Sequence, residues 1–347
     1  MIERLLTRFF SPKKQLCCGI ELVEQETNVT PGAKEKGSCG FSTSAEQATK
    51  RATHIPLAPI AYAANAFLTR RAEMLDSLPG NPYDVHLKDY GLVMGVLVGR
   101  APTPALNRVF GANIEDPALI REFNDWFGRF RAVPAYQVLT PSEQPATAPF
   151  ELVKLPKWDH VILEKDDLDS AIQDIDITRE IRVEQISKQD SETFVRVYAE
   201  AFDYPSNIVQ PLCRSVEMLI GEPDVLSYVA SVSGEPVAVG QLFLSEYGVA
   251  YQGSTGTIPK ARQIGCQMLL DHRRIDDARK AGYRRLGRTV AINSQSWRNA
   301  HKIGFRTVYR EDVYAPVAAA TKSIAASSAA SATRSGCCSA QLVASDH

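Results

Sequence analysis

Apolar residues recur at three- and four-residue spacing from Ile60 to Leu75, in IAYAANAFLTRRAEML, and predict an amphipathic helix. Tyr90 to Gly99, YGLVMGVLVG, is a continuous apolar run bounded by turn residues and predicts a buried strand. PALIREFNDWFGRF places Leu119, Phe123, Trp126 and Phe127 on one side of a second helix, with Pro117 in its first turn. VPAYQVL and DHVILE predict two further strands.

From Asp190 the pattern becomes more regular. DSETFVRVYAEAF has a helix-start signal at Asp190 or Ser191 and carries Phe194, Val195, Tyr198 and Phe202. NIVQPLCRSVEMLI predicts a second helix. VLSYVASVSGEPVAVGQLFL predicts two strands joined at Ser233-Gly234-Glu235-Pro236, and GVAYQGST another. Ile264 to Ala281 reads as a helix stopped by Gly282, followed by the strand RLGRTVAI. SWRNAHKI is a short helix stopped by Gly304, and FRTVYREDVY closes as a strand. The order is α, α, β, β, β, α, β, α, β.

Composition marks the boundaries. Residues 1–52 contain a Lys-, Glu-, Gly-, Ser- and Thr-rich stretch with little periodicity and read as mostly disordered. Residues 317–347 are an Ala/Ser-rich tail. Two folded blocks remain, 53–170 and 180–316, with the acidic Glu164 to Asp176 stretch between them as a linker. The first block shows no evident catalytic cluster.

At 347 residues the chain has length for two domains, and 44% hydrophobic with 23% charged residues is ordinary for a globular protein. A net charge of -1, from 39 basic and 40 acidic residues, provides no broad basic field for nucleic acid. No apolar run approaches the ~18 residues of a membrane-spanning helix. The N-terminus, MIERLLTRFFSPKK, lacks the apolar core and cleavage site of a signal peptide. The seven cysteines, an odd number, include the vicinal pairs Cys17–Cys18 and Cys337–Cys338, which argues against a disulfide framework. Neither pair has a histidine at zinc-ligand spacing. Cys213 and Cys266 fall in helical patterns as small packing residues. A reducing cytoplasm is the expected compartment, and no metal is expected.

Candidate chemistry centres on Thr257 to Gln267, TIPKARQIGCQ, between a strand and a helix. Backbone N–H groups at a helix N-terminus suit a pyrophosphate. Lys260 and Arg262 add charge-assisted donors, and Gly265 permits close approach of the backbone.

On these residues the stretch from Arg182 to Pro316 resembles the GNAT superfamily of acyl-CoA-dependent N-acyltransferases. The superfamily's acyl-CoA loop reads (Arg or Gln)-x-x-Gly-x-(Gly or Ala). Arg262-Gln263-Ile264-Gly265-Cys266-Gln267 matches it at the first and fourth positions. Gln267 departs at the last, as in a branch whose loop ends Gly-Ala-Gln. Thr257-x-Pro259 is also typical. Downstream, SWRNAHKIGF, Ser296 to Phe305, is similar to the last helix of the family with its Lys-x-Gly-Phe ending. The resemblance implies an α/β (α+β) GNAT fold with a mixed central sheet flanked by helices. Asn107-Arg108-Val109-Phe110-Gly111 and the helix after it resemble the degenerate first half of tandem GNAT-like proteins, which packs on an active second half.

The resemblance further implies acetyl-CoA, or another acyl-CoA, as donor and a primary amine of a small molecule or peptide as acceptor, with direct attack in a ternary complex. Thr257, Lys260, Arg262, Gln263, Ile264, Gly265, Cys266 and Gln267 are the expected CoA contacts of the loop, and Asn293, Ser296 and Asn299 those of the last helix. The thioester carbonyl would enter a gap between two splayed strands, Val249 to Ser254 and Arg285 to Ile292. Glu246 is the first candidate for the base and Asp203 the second. Tyr251 is a candidate facing the cleft. The thiolate-protonating tyrosine of many relatives falls here on Ala300, with Trp297 and His301 on the same helix. These departures leave open a catalytically degenerate binding or regulatory module.

Overall fold

The computed structural model describes residues 57–169 and 180–317, apart from residues 113, 145–148 and 150. The segment 1–52, the tail beyond residue 317, most of the expected linker and both cysteine pairs lie outside the described residues. Cys213 and Cys266 are buried free thiols on helices.

The first block runs α1 (Pro59–Asp76), β1 (Val85–Asp89), β2 (Val93–Val98), β3 (Arg108–Gly111), α2 (Pro117–Arg129), β4 (Ala135–Pro141) and β5 (Leu152–Lys165). Pro59 opens α1 at N1, where its missing N–H costs nothing. At α2 the Asp116 carboxylate accepts from Ala118 N at 2.8 Å, so Pro117 and a side-chain cap together set the start.

The second block runs β6 (Ile181–Gln185), α3 (Ser191–Phe202), α4 (Ser206–Glu217), β7 (Val225–Val232), β8 (Glu235–Leu244), β9 (Ala250–Thr257), α5 (Cys266–Lys280), β10 (Leu286–Ala291), α6 (Gln295–Lys302) and β11 (Arg306–Pro316). Its order follows the sequence pattern, with β6 added at the front. Ser233 (φ +50) and Gly234 (φ +83) make the two-residue turn between β7 and β8, a geometry that matches the twist of the strands it joins.

The eleven strands of the described residues form one mixed sheet, in the order β1-β2-β3-β4-β11-β5-β10-β9-β8-β7-β6. The two blocks are therefore interleaved: β5 of the first lies between β10 and β11 of the second, antiparallel to both, and β11 pairs with β4. β5 is longer than its sequence pattern suggests. Val161 and Leu163 enter one core cluster and Ile162 another, so the strand is covered on both faces. Glu164 and Lys165, expected to open the linker, are instead 3% and 5% exposed. The Glu164 carboxylate meets Arg285 at 2.7 Å, which keeps the chain in strand to Lys165.

Helices cover both faces. In β10, a Cβ on Gly287 would stand 1.6 Å from Ile60 Cδ1 of α1, whereas the next residue, Arg288, points to Asp271 of α5. Neighbouring strand residues face opposite ways, so α1 and α5 lie on opposite sides of the sheet. Ile60 and Phe67 are buried under α1, each contributing roughly 1.5–3 kcal/mol through burial. No helix among the described residues is long and apolar enough to cross a membrane.

Candidate active site

β9 and β10 run parallel through only three register pairs, Ala250–Leu286, Tyr251–Gly287 and Gln252–Arg288. Beyond them the strands carry no pairing with each other, and a cleft of about 750 Å³ opens at this end of the sheet. The expected splay is present and starts at Gln252 and Arg288. In β9 the ladder to β8 skips a step: Val239 pairs Gly256 and Gln241 pairs Gly253, so Ser254 and Thr255 together oppose Gly240. Ser254 takes φ +49 at this bulge, which re-aims the backbone beside the gap.

The loop after β9 forms one wall. Pro259–Ala261 is a 3-10 turn, and Gly265 (φ +98) is the N-cap of α5. No side chain caps this end and its first turn holds no acidic residue, so its first N–H groups face the cleft side without a competing anion. Thr257, Arg262, Gln263, Gly265, Cys266 and Gln267 line the cleft, together with Ser296 and Asn299 of α6. Gln267 explains its own departure from the expected small residue: its Nε2 donates to Ser296 Oγ at 2.7 Å and its Oε1 accepts from Asn299 Nδ2 at 3.3 Å. It ties the start of α5 to α6. The Ser294 hydroxyl caps α6, accepting from Trp297 N.

Other expected residues are placed differently. Lys260 lies at the surface and is paired with Glu235 at 2.6 Å, outside the cleft wall. Arg262 donates to the carbonyls of Thr257 and Ala201, at 3.3 and 3.0 Å, and so pins the loop to α3. Ile264 and Asn293 are not among the cleft-lining residues; Asn293 bends the chain at φ +59 and its carbonyl accepts from Arg298. Glu246 is exposed on the β8–β9 hairpin, at the end of β9 opposite the loop, and is not among the cleft-lining residues. Asp203 ends α3 in a left-handed conformation and is also outside the cleft wall.

Tyr251 does line the cleft. It is 7% exposed, its ring packs on Phe67, and its hydroxyl donates to Thr289 Oγ1 at 3.0 Å across the last paired rung. Burial pushes its phenol up to about 12, so at neutral pH it is a hydrogen-bond donor and not a base. Ala300 is fully buried, and Trp297 and His301 pack edge to face on each other on α6.

The cleft has a second arm under α1, on the face bearing Tyr251. Its walls are Arg108 of β3, Gln137 of β4, Trp158 and His160 of β5, and Glu311 of β11. Four of the five come from the block that shows no catalytic cluster along the sequence. The register brings them together: His160 sits between Ala291 of β10 and Glu311 of β11. The Glu311 carboxylate, 2% exposed, accepts from Arg108 Nη1 at 2.8 Å and from Trp158 Nε1 at 3.4 Å. Burial holds His160 below its ordinary imidazole range, opposed by the Glu311 charge. The sequence carries only a partial signal for these residues: Trp158, His160 and Glu164 share one parity of the strand with the apolar Ile162, and Asp159 on the other parity breaks a clean polar–apolar alternation.

A third feature lies behind β9. Arg274 and Asp271 of α5 are fully buried, and Arg288 is 3% exposed. Asp271 accepts from Arg274 Nη2 at 2.6 Å and from Arg288 Nη1 at 3.1 Å, and Arg274 Nη1 donates to Thr255 Oγ1 at 2.6 Å. The pair of guanidiniums sharing one carboxylate fastens α5 to the bulged segment of β9.

No family model matches the chain, and no curated protein matches it. Among solved structures it is similar to a GCN5-related N-acetyltransferase from Kribbella flavida, at 15% identity and TM-score 0.54, over 76% of this chain and 96% of that one. A GCN5-related N-acetyltransferase from Sphaerobacter thermophilus aligns at 14% identity over 74% of this chain and 91% of that one, with TM-score 0.49. The mixed sheet, the splay between β9 and β10 and the first of these likenesses lead to one conclusion: this chain has the GNAT fold of the GCN5-related N-acetyltransferases.

Proposed function

We propose that this protein is an acyl-CoA-dependent N-acyltransferase, with acetyl-CoA as the first donor to test and a primary amine as acceptor. The observation that carries the proposal is the parting of β9 and β10 directly beside an uncapped helix N-terminus. In this reading the second block holds the donor and the first block supplies the acceptor side. The pyrophosphate would lie on the first N–H groups of α5, with Gln263 and Gly265 turning the backbone around it. The pantetheine arm would follow Gln267, Ser296 and Asn299 toward the gap.

The thioester carbonyl would then enter beside the bulge at Ser254, where backbone N–H groups of β9 can donate to the oxygen as negative charge builds on it. Removing a single donor of this kind typically costs about 2.7–4 kcal/mol in other enzymes. The fit to an anion is chemical: the α5 terminus has neither a capping side chain nor an acidic first turn. Holding amine and thioester in contact supplies a further large share of the acceleration.

Thermal melts of the full chain with CoA test the donor side. A ligand present at 100 times its Kd stabilises a fold by about 2.7 kcal/mol, which is several degrees of melting temperature. Gly265→Asp is expected to lose the CoA-induced rise because it places a carboxylate at the pyrophosphate site, and to lower the melting temperature of the free protein as well, because a side chain at φ +98 is strained. Acetyl-CoA and longer acyl-CoAs screened for thiol release across amines and peptides would then identify the donor and acceptor. Absence of any melting shift at millimolar CoA would reject the proposal.

A further inference from the structure

The arm under α1 is unbalanced in its hydrogen bonding. The donors of Arg108 and Trp158 are committed to the protein. Arg108 Nε donates to Pro104 O, Arg108 Nη1 and Trp158 Nε1 donate to Glu311, and the Arg108 guanidinium stacks on Trp158 with its carbon 4.8 Å from the ring centre. The acceptors of Gln137 and His160 are not. Gln137, 3% exposed, has no partner for Oε1, and His160 has none for Nδ1, which accepts in the tautomer with its proton on Nε2. A buried polar atom costs roughly 1–3 kcal/mol unless a partner meets it, so two such atoms on one wall suit a donor that enters from the cleft. The Arg108–Glu311 pair cancels its own charge, and the guanidinium of Arg71, which lines the same cleft from α1, is held by the Ser215 hydroxyl. An alkylammonium offers three donors and no acceptor, and complements this wall.

The position fits the chemistry as well as the polarity. The gap lies between β9 and β10, and β5 is the next strand beyond β10. His160 stands opposite Ala291, two residues past the Thr289 that Tyr251 grips at the mouth of the splay. The ring therefore lies about one strand spacing, roughly 4.8 Å, from the strand that borders the gap. An amine seated on Gln137 and His160 can reach the thioester carbon from the side opposite α5.

We propose that the acceptor is a primary alkylamine whose ammonium is received under α1 by Gln137, His160 and Glu311, and that His160 is the base. This rests on the acyl-CoA reading above. His160 Nδ1 or Nε2 takes one proton from the ammonium, giving a free amine and an imidazolium. The amine nitrogen attacks the thioester carbon, the C–N bond forms and the C–S bond breaks. CoA departs as thiolate and is protonated by the second nitrogen-bound proton, while the imidazolium returns its proton to solvent. The charged groups around His160 are Glu311 on β11 and Arg108 on β3, with Asp159 next to it on β5 but on the opposite face, and Arg71 of α1 and Tyr251 of β9 line the same cleft. Their net effect, with burial, keeps the imidazole unprotonated at neutral pH, as a base must be.

The test combines binding and turnover in the full chain. Melting temperature is measured with CoA and with a panel of alkyl diamines, amino alcohols and short lysine-containing peptides, against diols and hydroxy acids of the same length. Amines are expected to raise the melting temperature, and the diols and acids are not. The small amines and the peptide arm separate the two sources of the same ammonium. Gln137→Leu is expected to raise the melting temperature of the free protein, since it removes a buried carbonyl oxygen that has no partner, and to abolish the amine shift. A merely structural glutamine would lower the first and leave the second. His160→Gln should keep the CoA shift and, because its amide oxygen still accepts, part of the amine shift, while thiol release at pH 7 falls about 100-fold or more, with loss of the histidine limb of the kcat–pH profile. CoA binding without amine selectivity overturns the acceptor class alone. Amine selectivity without CoA binding overturns the donor reading alone. Binding of both with no thiol release, or an unchanged profile in His160→Gln, overturns the base assignment.

Discussion

At the scale of single residues, the cleft is organised by charges that have almost no access to water. Asp271 neutralises part of the Arg274–Arg288 pair, and its loss would leave two buried guanidiniums with no counter-charge. Breaking such a pair from one side typically costs about 3–5 kcal/mol. Asp271→Ala is therefore expected to lower stability in urea by that amount, whereas Asp276→Ala, which disrupts an exposed pair with Arg279 on the same helix, should change it by under about 1 kcal/mol. His160 sets a second expectation. Its folded value is held below the ordinary 6.5 chiefly by burial. Between the folded and unfolded values the unfolded chain binds more protons, so the stability contributed by the neutral ring is full above about 6.5 and is lost as pH falls below it. Urea melts from pH 7.5 down to 5 should show this loss, and His160→Gln should flatten the slope. An unchanged slope would assign the acid sensitivity to other groups.

At the scale of elements, α1 stays on the sheet because two strand positions lack side chains. A Cβ at Gly253 would come within 2.2 Å of the Phe67 ring, and one at Gly287 within 1.6 Å of Ile60 Cδ1. Gly287→Ala is expected to cost about 1–3 kcal/mol through overpacking. Ile60→Val removes the clashing methyl, so the double variant should be less destabilised than the sum of the two singles, as a double-mutant cycle would read. The elements themselves were largely legible along the chain. α3, α5 and α6 follow from three-to-four periodicity with Gly282 and Gly304 as stops, and the β7–β8 turn follows from Ser233-Gly234. The loop from Thr257 to Gln267 was legible for the same reason, since a strand, a turn and a helix start are all local signals. Strand neighbours were not legible. The insertion of β5 between β10 and β11 depends on pairings between residues far apart in sequence, and periodicity records burial without recording the partner. That is why Glu246, local to the hairpin that leads into β9, stood out along the chain, while His160, brought to the cleft by a strand of the other block, did not.

At the scale of the whole molecule, the linker divides the chain but does not divide the sheet. A fragment 180–347 would keep the loop, α5 and α6, and by sequence alone it should be a complete donor domain. The register argues otherwise. β10 would lose all six of its pairs with β5, from Leu286–Lys165 to Ala291–His160, and β11 would lose both of its neighbours, since β4 and β5 belong to the first block. Removing α1 would also uncover Phe243, Val249 and Tyr251, which share one core cluster with Ile60 and Phe67. An unpaired strand edge beside an uncovered apolar face is a template for association between chains. The fragment is expected to aggregate or to melt without cooperativity, and to show no CoA-induced shift. Coexpressed segments 1–179 and 180–347 should instead copurify as a one-to-one complex whose melting temperature rises with CoA, because the interleaved strands rebuild both arms of the cleft. A monomeric, cooperatively folding 180–347 that binds CoA on its own would show that β11 can settle directly on β10, and that β5 is an addition to the donor half, not part of its frame.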